Sequence, residues 1–141
     1  MIAAHGQRIL AALEGIASLE YTGWASQAAE AEDLTALCPG AWVQPGAADP
    51  TSEAGKGVHA NVARAWLVAV TVSGDGQTPL ELEASDLIDQ VRRALTGLRL
   101  ADQPPLRRLQ YVREIEPFYA PGYIELAIEF EAHETYTGDD R

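Results

Sequence analysis

Positive charge is scarce in this chain. Ten basic residues stand against 21 acidic ones, a formal net charge of −11, and Lys56 is the sole lysine. A nucleic acid backbone is bound by neutralising phosphates and releasing counterions, which needs a basic stripe that this composition cannot supply. An acidic domain repels DNA, a useful property in a protein that DNA must slide past. The same acidity also serves plain solubility. Cysteine is nearly missing too. Cys38 is the only one, so an internal disulfide is excluded and a reducing cytoplasm is the expected setting. No apolar run approaches the roughly 20 residues of a membrane helix. Met1 to Arg8 lacks the basic start and apolar stretch of a secretory signal, so no membrane role is expected.

Catalytic constellations are also missing. His5, His59 and His133 are scattered, with no pair at metal-ligand spacing. Cys38, beside Pro39, has no partner base in sequence and reads as an inert thiol. There is no phosphate loop and no dinucleotide fingerprint. Ser73-Gly74-Asp75-Gly76-Gln77 lacks the alternating acidic ligands of a calcium loop and reads as a turn. The expectation is a non-enzyme without cofactor or metal.

What remains is an ordinary globular composition, 47% hydrophobic and 22% charged over 141 residues. That length suits one domain covering 1–141. Ile2, Gly6, Ile9, Leu13 and Ile16 recur at helical spacing and predict an amphipathic helix from Ile2 to Ser18. A short strand over Glu20–Trp24 and a helix over Ala28–Leu37 follow, the latter stopped by Cys38-Pro39-Gly40. Ala41–Val43 reads as a short strand. From Gln44 to Ala60 the apolar period disappears, predicting a mobile loop.

Asn61–Ser73 alternates Trp66, Val68, Val70 and Val72 with Ala65, Leu67, Ala69 and Thr71. Both faces are largely apolar, which predicts a central strand covered on both sides, the second cover being a helix or a neighbouring subunit. Thr78, Pro79 and Glu81 predict a capped helix whose stripe is Ala84, Leu87, Ile88, Val91, Leu95 and Leu98, with Gly97 as its left-handed stop. Leu106–Ile115 reads as a strand with Leu109, Tyr111 and Ile115 on one face, interrupted by Arg113, and Glu116–Gly122 as a loop. In Tyr123–Glu134, Ile124, Leu126, Ile128 and Phe130 alternate with Glu125, Ala127, Glu129 and Glu131, so one face is buried and the other acidic. Residues 137–141 read as a frayed tail. The fold class is α+β, a mostly antiparallel sheet of four to five strands with two main helices packed on it.

Candidate functional residues follow from this placement. Glu125, Glu129 and Glu131 form an acidic ladder, either a solvated sheet face or the lining of a channel. Trp24, Trp42 and Trp66 are candidate interface anchors; Trp66 suits the core, and Trp42 suits core and interface equally. Arg92, Arg93, Arg107 and Arg108 are the only basic pairs, and serve either helix-dipole compensation and solvation or docking onto acidic strands of a neighbouring copy.

The order of segments resembles a known family. It runs from an N-terminal amphipathic helix to Pro39-Gly40-Ala41-Trp42-Val43, a long loop, and Trp66-Leu67-Val68-Ala69-Val70. A helix spanning Asp86 to Gly97 in the pattern Asp-x-x-x-x-Val-x-x-Ala-Leu-x-Gly comes next, then an alternating strand ending in Phe130-Glu131 and Tyr136. In this order the chain is similar to the tail-terminator, or tail-completion, proteins of tailed bacteriophages, particularly the Mu-like group. The resemblance implies a homo-oligomeric ring, usually a hexamer, that caps the tail tube and ends its polymerisation. It implies contacts with tail-tube and head-completion proteins, DNA passing through the lumen without specific binding, and a place in the host cytoplasm during assembly and then in the virion tail. A head–tail connector or neck subunit shares this build. A monomeric small-molecule-binding domain is the alternative of a different class.

Overall fold

The computed structural model describes residues 2–51, 59–74, 77–102 and 107–137. Its elements are α1 (Ile2–Glu14), β1 (Tyr21–Trp24), α2 (Ala25–Ala29), a 3-10 turn (Leu34–Leu37), β2 (Gly40–Pro50), β3 (His59–Val72), α3 (Leu80–Leu95), β4 (Gln110–Ala120) and β5 (Tyr123–Thr137). The strands form one sheet in the order β1-β2-β3-β5-β4. Every pairing is antiparallel except β1 with β2. The α+β expectation is borne out.

The core lies on one face of the sheet. Val43, Trp66, Val68, Val70, Ile128 and Phe130 point to it and are buried. The register places Trp66 opposite Phe130 and Val68 opposite Ile128, so the period-2 alternation of β3 and β5 stacks one apolar layer. Helices α1 and α3 cover that layer. Ile9 and Leu13 are buried from α1, and Ala84, Leu87, Ile88, Val91 and Leu95 from α3. A Cβ at Gly6 would stand 2.0 Å from the Trp24 ring, so this glycine lets α1 lie directly on the indole. Trp24 is thereby part of the helix–sheet packing.

Several elements differ from expectation. Helix α1 stops at Glu14, where Gly15 and Ile16 turn back onto Ala12 and Leu13 carbonyls at 3.3 and 3.0 Å. The region 28–37 is two pieces, because Asp33 interrupts it: its Oδ1 accepts from Thr35 N at 3.0 Å and caps the 3-10 turn. Thr78 does not cap α3. Pro79 occupies the N-cap position with extended ψ, and no side chain caps it. Gly97 is the expected left-handed stop, at φ +80°.

The largest differences concern the hairpins. Gln44–Pro50, expected in a mobile loop, continues β2 against β3. A bulge between Pro45 and Ala48 lets the ladder absorb the Pro45-Gly46 pair, and Arg64 Nη1 donates to Gly46 O at 3.0 Å. Residues 52–58 of the predicted loop lie outside the described residues. Glu116–Ala120, also expected as loop, extends β4, leaving only Pro121 and Gly122 at the turn. Thr137 is the final residue of β5, and 138–141 lie outside the described residues.

Candidate functional site

The opposite face of the sheet is only partly covered. There Ala65, Leu67 and Ala69 of β3 are half-buried, so within one chain the second cover expected for this strand is partial. Small side chains explain the gap: three alanines of α2 and the following turn (Ala28, Ala29 and Ala31) stand over Ala69 and Ala127 and leave a groove of about 690 Å³. Its floor is Trp42, Leu67, Ala69 and Ala127, and Arg113, Ile115 and Tyr123 form the far wall. A second depression of about 380 Å³, between Gly46–Thr51 and Glu131, shares Leu67 and Glu129 with the first. Together they make one trough along the open sheet face.

A bulge between Tyr111 and Arg113 explains how Ile115 reaches this trough. Tyr111 pairs with Phe130 and meets its ring edge-on at 6.2 Å between centroids. After the bulge, Arg113 pairs with Glu129 and Ile115 with Ala127. Side chains in a strand alternate, so the extra residue turns Arg113 and Ile115 to the open face. Leu109, Tyr111 and Ile115 therefore do not share a face, and the apparent interruption at Arg113 disappears.

The acidic ladder lies in this trough. Glu125 is opposite Thr71, Glu129 opposite Leu67 and Glu131 opposite Ala65. Glu129 Oε1 accepts from Arg113 Nη2 at 3.4 Å, and Glu131 is 3.7 Å from His133 Nε2. Glu125 has no cation beside it among the described residues, and burial pushes its carboxyl above the ordinary range. Glu32 stands on the opposite wall.

Trp42 is buried at 5% exposure. Its ring rests where Gly23 and Gly40 leave room, and Nε1 donates to Thr71 Oγ1 at 3.0 Å. The residue belongs to the chain's own packing and shows only an edge to the groove. Trp66 is fully buried in the core. The arginine pairs are largely engaged within the chain. Arg92 bridges Asp89 and Glu114, Arg107 donates to Thr135 Oγ1 at 2.9 Å, and Arg108 donates to Gly97 O at 2.9 Å. Arg93 is exposed and reaches only the Asp89 carbonyl, at 3.4 Å.

One cluster gave no sequence signal. Glu134 continues the core-facing alternation of β5 beyond the apolar residues and is 1% exposed. Its Oε2 accepts from Arg64 Nε at 3.2 Å and from the Tyr136 hydroxyl, while Oε1 stands 3.6 Å from His5 Nδ1. Both Oε1 and His5 Nδ1 are buried without a hydrogen-bond partner among the described residues. Burial lowers the His5 pKa against the upward pull of Glu134. The only available hint was parity: Arg64 shares a strand face with Trp66, and Glu134 with Phe130.

Among the described residues no group of three or more His, Cys, Asp or Glu could hold a metal ion, and no helix is long and apolar enough to cross a membrane. No protein-family model and no curated protein sequence matches the chain. The fold is similar to that of a chain in the virion of a native gene transfer agent particle, with a TM-score of 0.55 and 21% identity, over 93% of this chain and 91% of that one.

Proposed function

We propose that this protein is a non-enzymatic structural subunit of a phage-like particle, acting as a ring that ends the tail tube. The observation that carries this reading is the fold likeness to a gene transfer agent virion chain, which extends over nearly the whole of both chains. The segment order, similar to tail terminators, supports the same reading from sequence. In this role six copies close through a heterologous contact, stop polymerisation of the tail-tube protein, and present a surface to the head-completion protein while DNA passes through. The subunit assembles in the host cytoplasm and stays in the tail.

Ring contacts then fall to residues the subunit leaves exposed. Phe118 and Tyr119 of the edge strand β4 are 55% and 63% exposed, and Arg93 pairs with no carboxylate among the described residues. Glu125, Glu129 and Glu131 have two possible places in a ring, a wall that repels DNA or a seat for a partner. Their setting inside a groove favours the seat.

The test is native mass followed by a tube-growth assay. A hexamer, or a monomer that becomes one on tube ends, together with shortened tubes in electron micrographs, supports the terminator. Binding to portal-side proteins with no effect on tube length makes it a head–tail connector. A strict monomer that binds neither sinks the reading.

A further inference from the structure

We infer that the trough on the open sheet face seats a basic amphipathic helix of a different protein. The inference does not depend on the ring reading. It rests on shape, on charge and on the spacing of the carboxylates.

The two depressions joined at Leu67 and Glu129 follow β5 from Tyr123 to Glu131. At a strand rise of about 3.3 Å per residue that is a length of about 26 Å. A helix of about 18 residues spans the same length at about 1.5 Å per residue. The floor supplies apolar contact through Trp42, Leu67 and Ala69, and the alanines of α2 let a backbone come close. Glu125 and Glu129 stand about 13 Å apart along the strand, with Glu131 about 7 Å further. A helix with arginine or lysine at one position, about seven residues on and about fourteen on carries all three on one face, about 10 and 21 Å along its axis, within reach of the three carboxylates for side chains this long.

Charge argues against a second copy as occupant. This chain carries a net −11. Its arginines 8, 64, 92 and 113 already hold carboxylates, and 107 and 108 hold Thr135 and the Gly97 carbonyl. Another copy brings repulsion and few free cations. Glu32 and Glu125 have no cation of their own among the described residues, so a basic partner meets no competing cation there.

The probe is an 18-residue Arg/Leu/Ala peptide with the arginines on one helical face, read by tryptophan fluorescence and calorimetry at near-physiological salt. It should bind about tenfold or more tightly than a scrambled peptide of the same composition, a step of one decade in Kd. Ala28→Trp, which fills the groove from α2, and the isosteric E125Q/E129Q should each remove that preference, with the fold checked by circular dichroism. Equal binding of the scrambled peptide overturns the proposal and leaves the ladder a solvated acidic wall, as a channel lining would be. Unchanged binding by both variants overturns it as well. So does displacement of the peptide by phenethylamine at comparable concentration, which would make the groove a small-molecule site.

Discussion

The Glu134 carboxylate is gripped on one oxygen by Arg64 and Tyr136 and left without a partner on the other. A buried ion pair contributes little net stability when intact, yet removing one member strands the other. Glu134→Gln is therefore expected to cost about 3 kcal/mol, measured by urea unfolding. Replacing both Arg64 and Glu134 with methionine should cost less than the sum of the single changes, because no charge is then left alone. His5 adds a pH dependence. Its folded pKa lies below the ordinary 6.5, so the unfolded chain binds the proton more readily, and stability is lost as pH falls through and below that value. His5→Gln should flatten the stability profile between about pH 7 and 5. Asp102, held low by Arg8, loses its contribution in a lower range, below 3.8. Glu125, raised by burial, acts with opposite sign, its penalty present above its folded pKa and easing as pH falls toward 4.5. None of this was legible in sequence, because alternation names a face but not whether a polar residue on it will find partners.

At the scale of elements, the strands and helices that bury an apolar stripe were the readable ones. α1, β3, α3 and β5 follow their periods closely. β2 and β4 did not, for one physical reason: each is irregular where its partner is regular. The bulge at Pro45–Ala48 and the two in β4 break the alternation that marks a strand, while the ladder resumes beyond them. Pro117 is tolerated because β4 is an edge. The groove was half legible: the acidic ladder and the small residues of β3 were in plain view, but the bulge that brings Arg113 and Ile115 to them was not. Gly97 was legible because its need is local. At φ +80° any L side chain is strained, so Gly97→Ala should lower stability by about 1 kcal/mol, seen as a lowered Tm with unchanged far-ultraviolet signal.

For the whole molecule, composition had already fixed the balance of charge, and charge sets how copies meet. Copies of net −11 repel one another, and salt screens that repulsion within about 10 Å at 0.1 M. Self-association should therefore strengthen as ionic strength rises from about 0.02 to 0.5 M, followed by sedimentation velocity. Weakening instead would mean that the subunit contact is built on opposite charges, with Arg93 the first residue to mutate.

The strand order carries a consequence for how the chain comes into being. β3 and β5 are partners at the centre of the sheet, with Trp66 facing Phe130, yet α3 and β4 must leave the ribosome between them. Closing that pair brings together residues more than sixty positions apart, a long-range step that is intrinsically slow. Until β5 emerges, β2 and β3 form a hairpin with a bare inner edge, and β4 has no neighbour at all. A copy ended before β5 thus keeps open the strand edges that the finished sheet closes, which favours aggregation over folding. The central pairing of the sheet closes last, and only a chain translated through β5 can complete it.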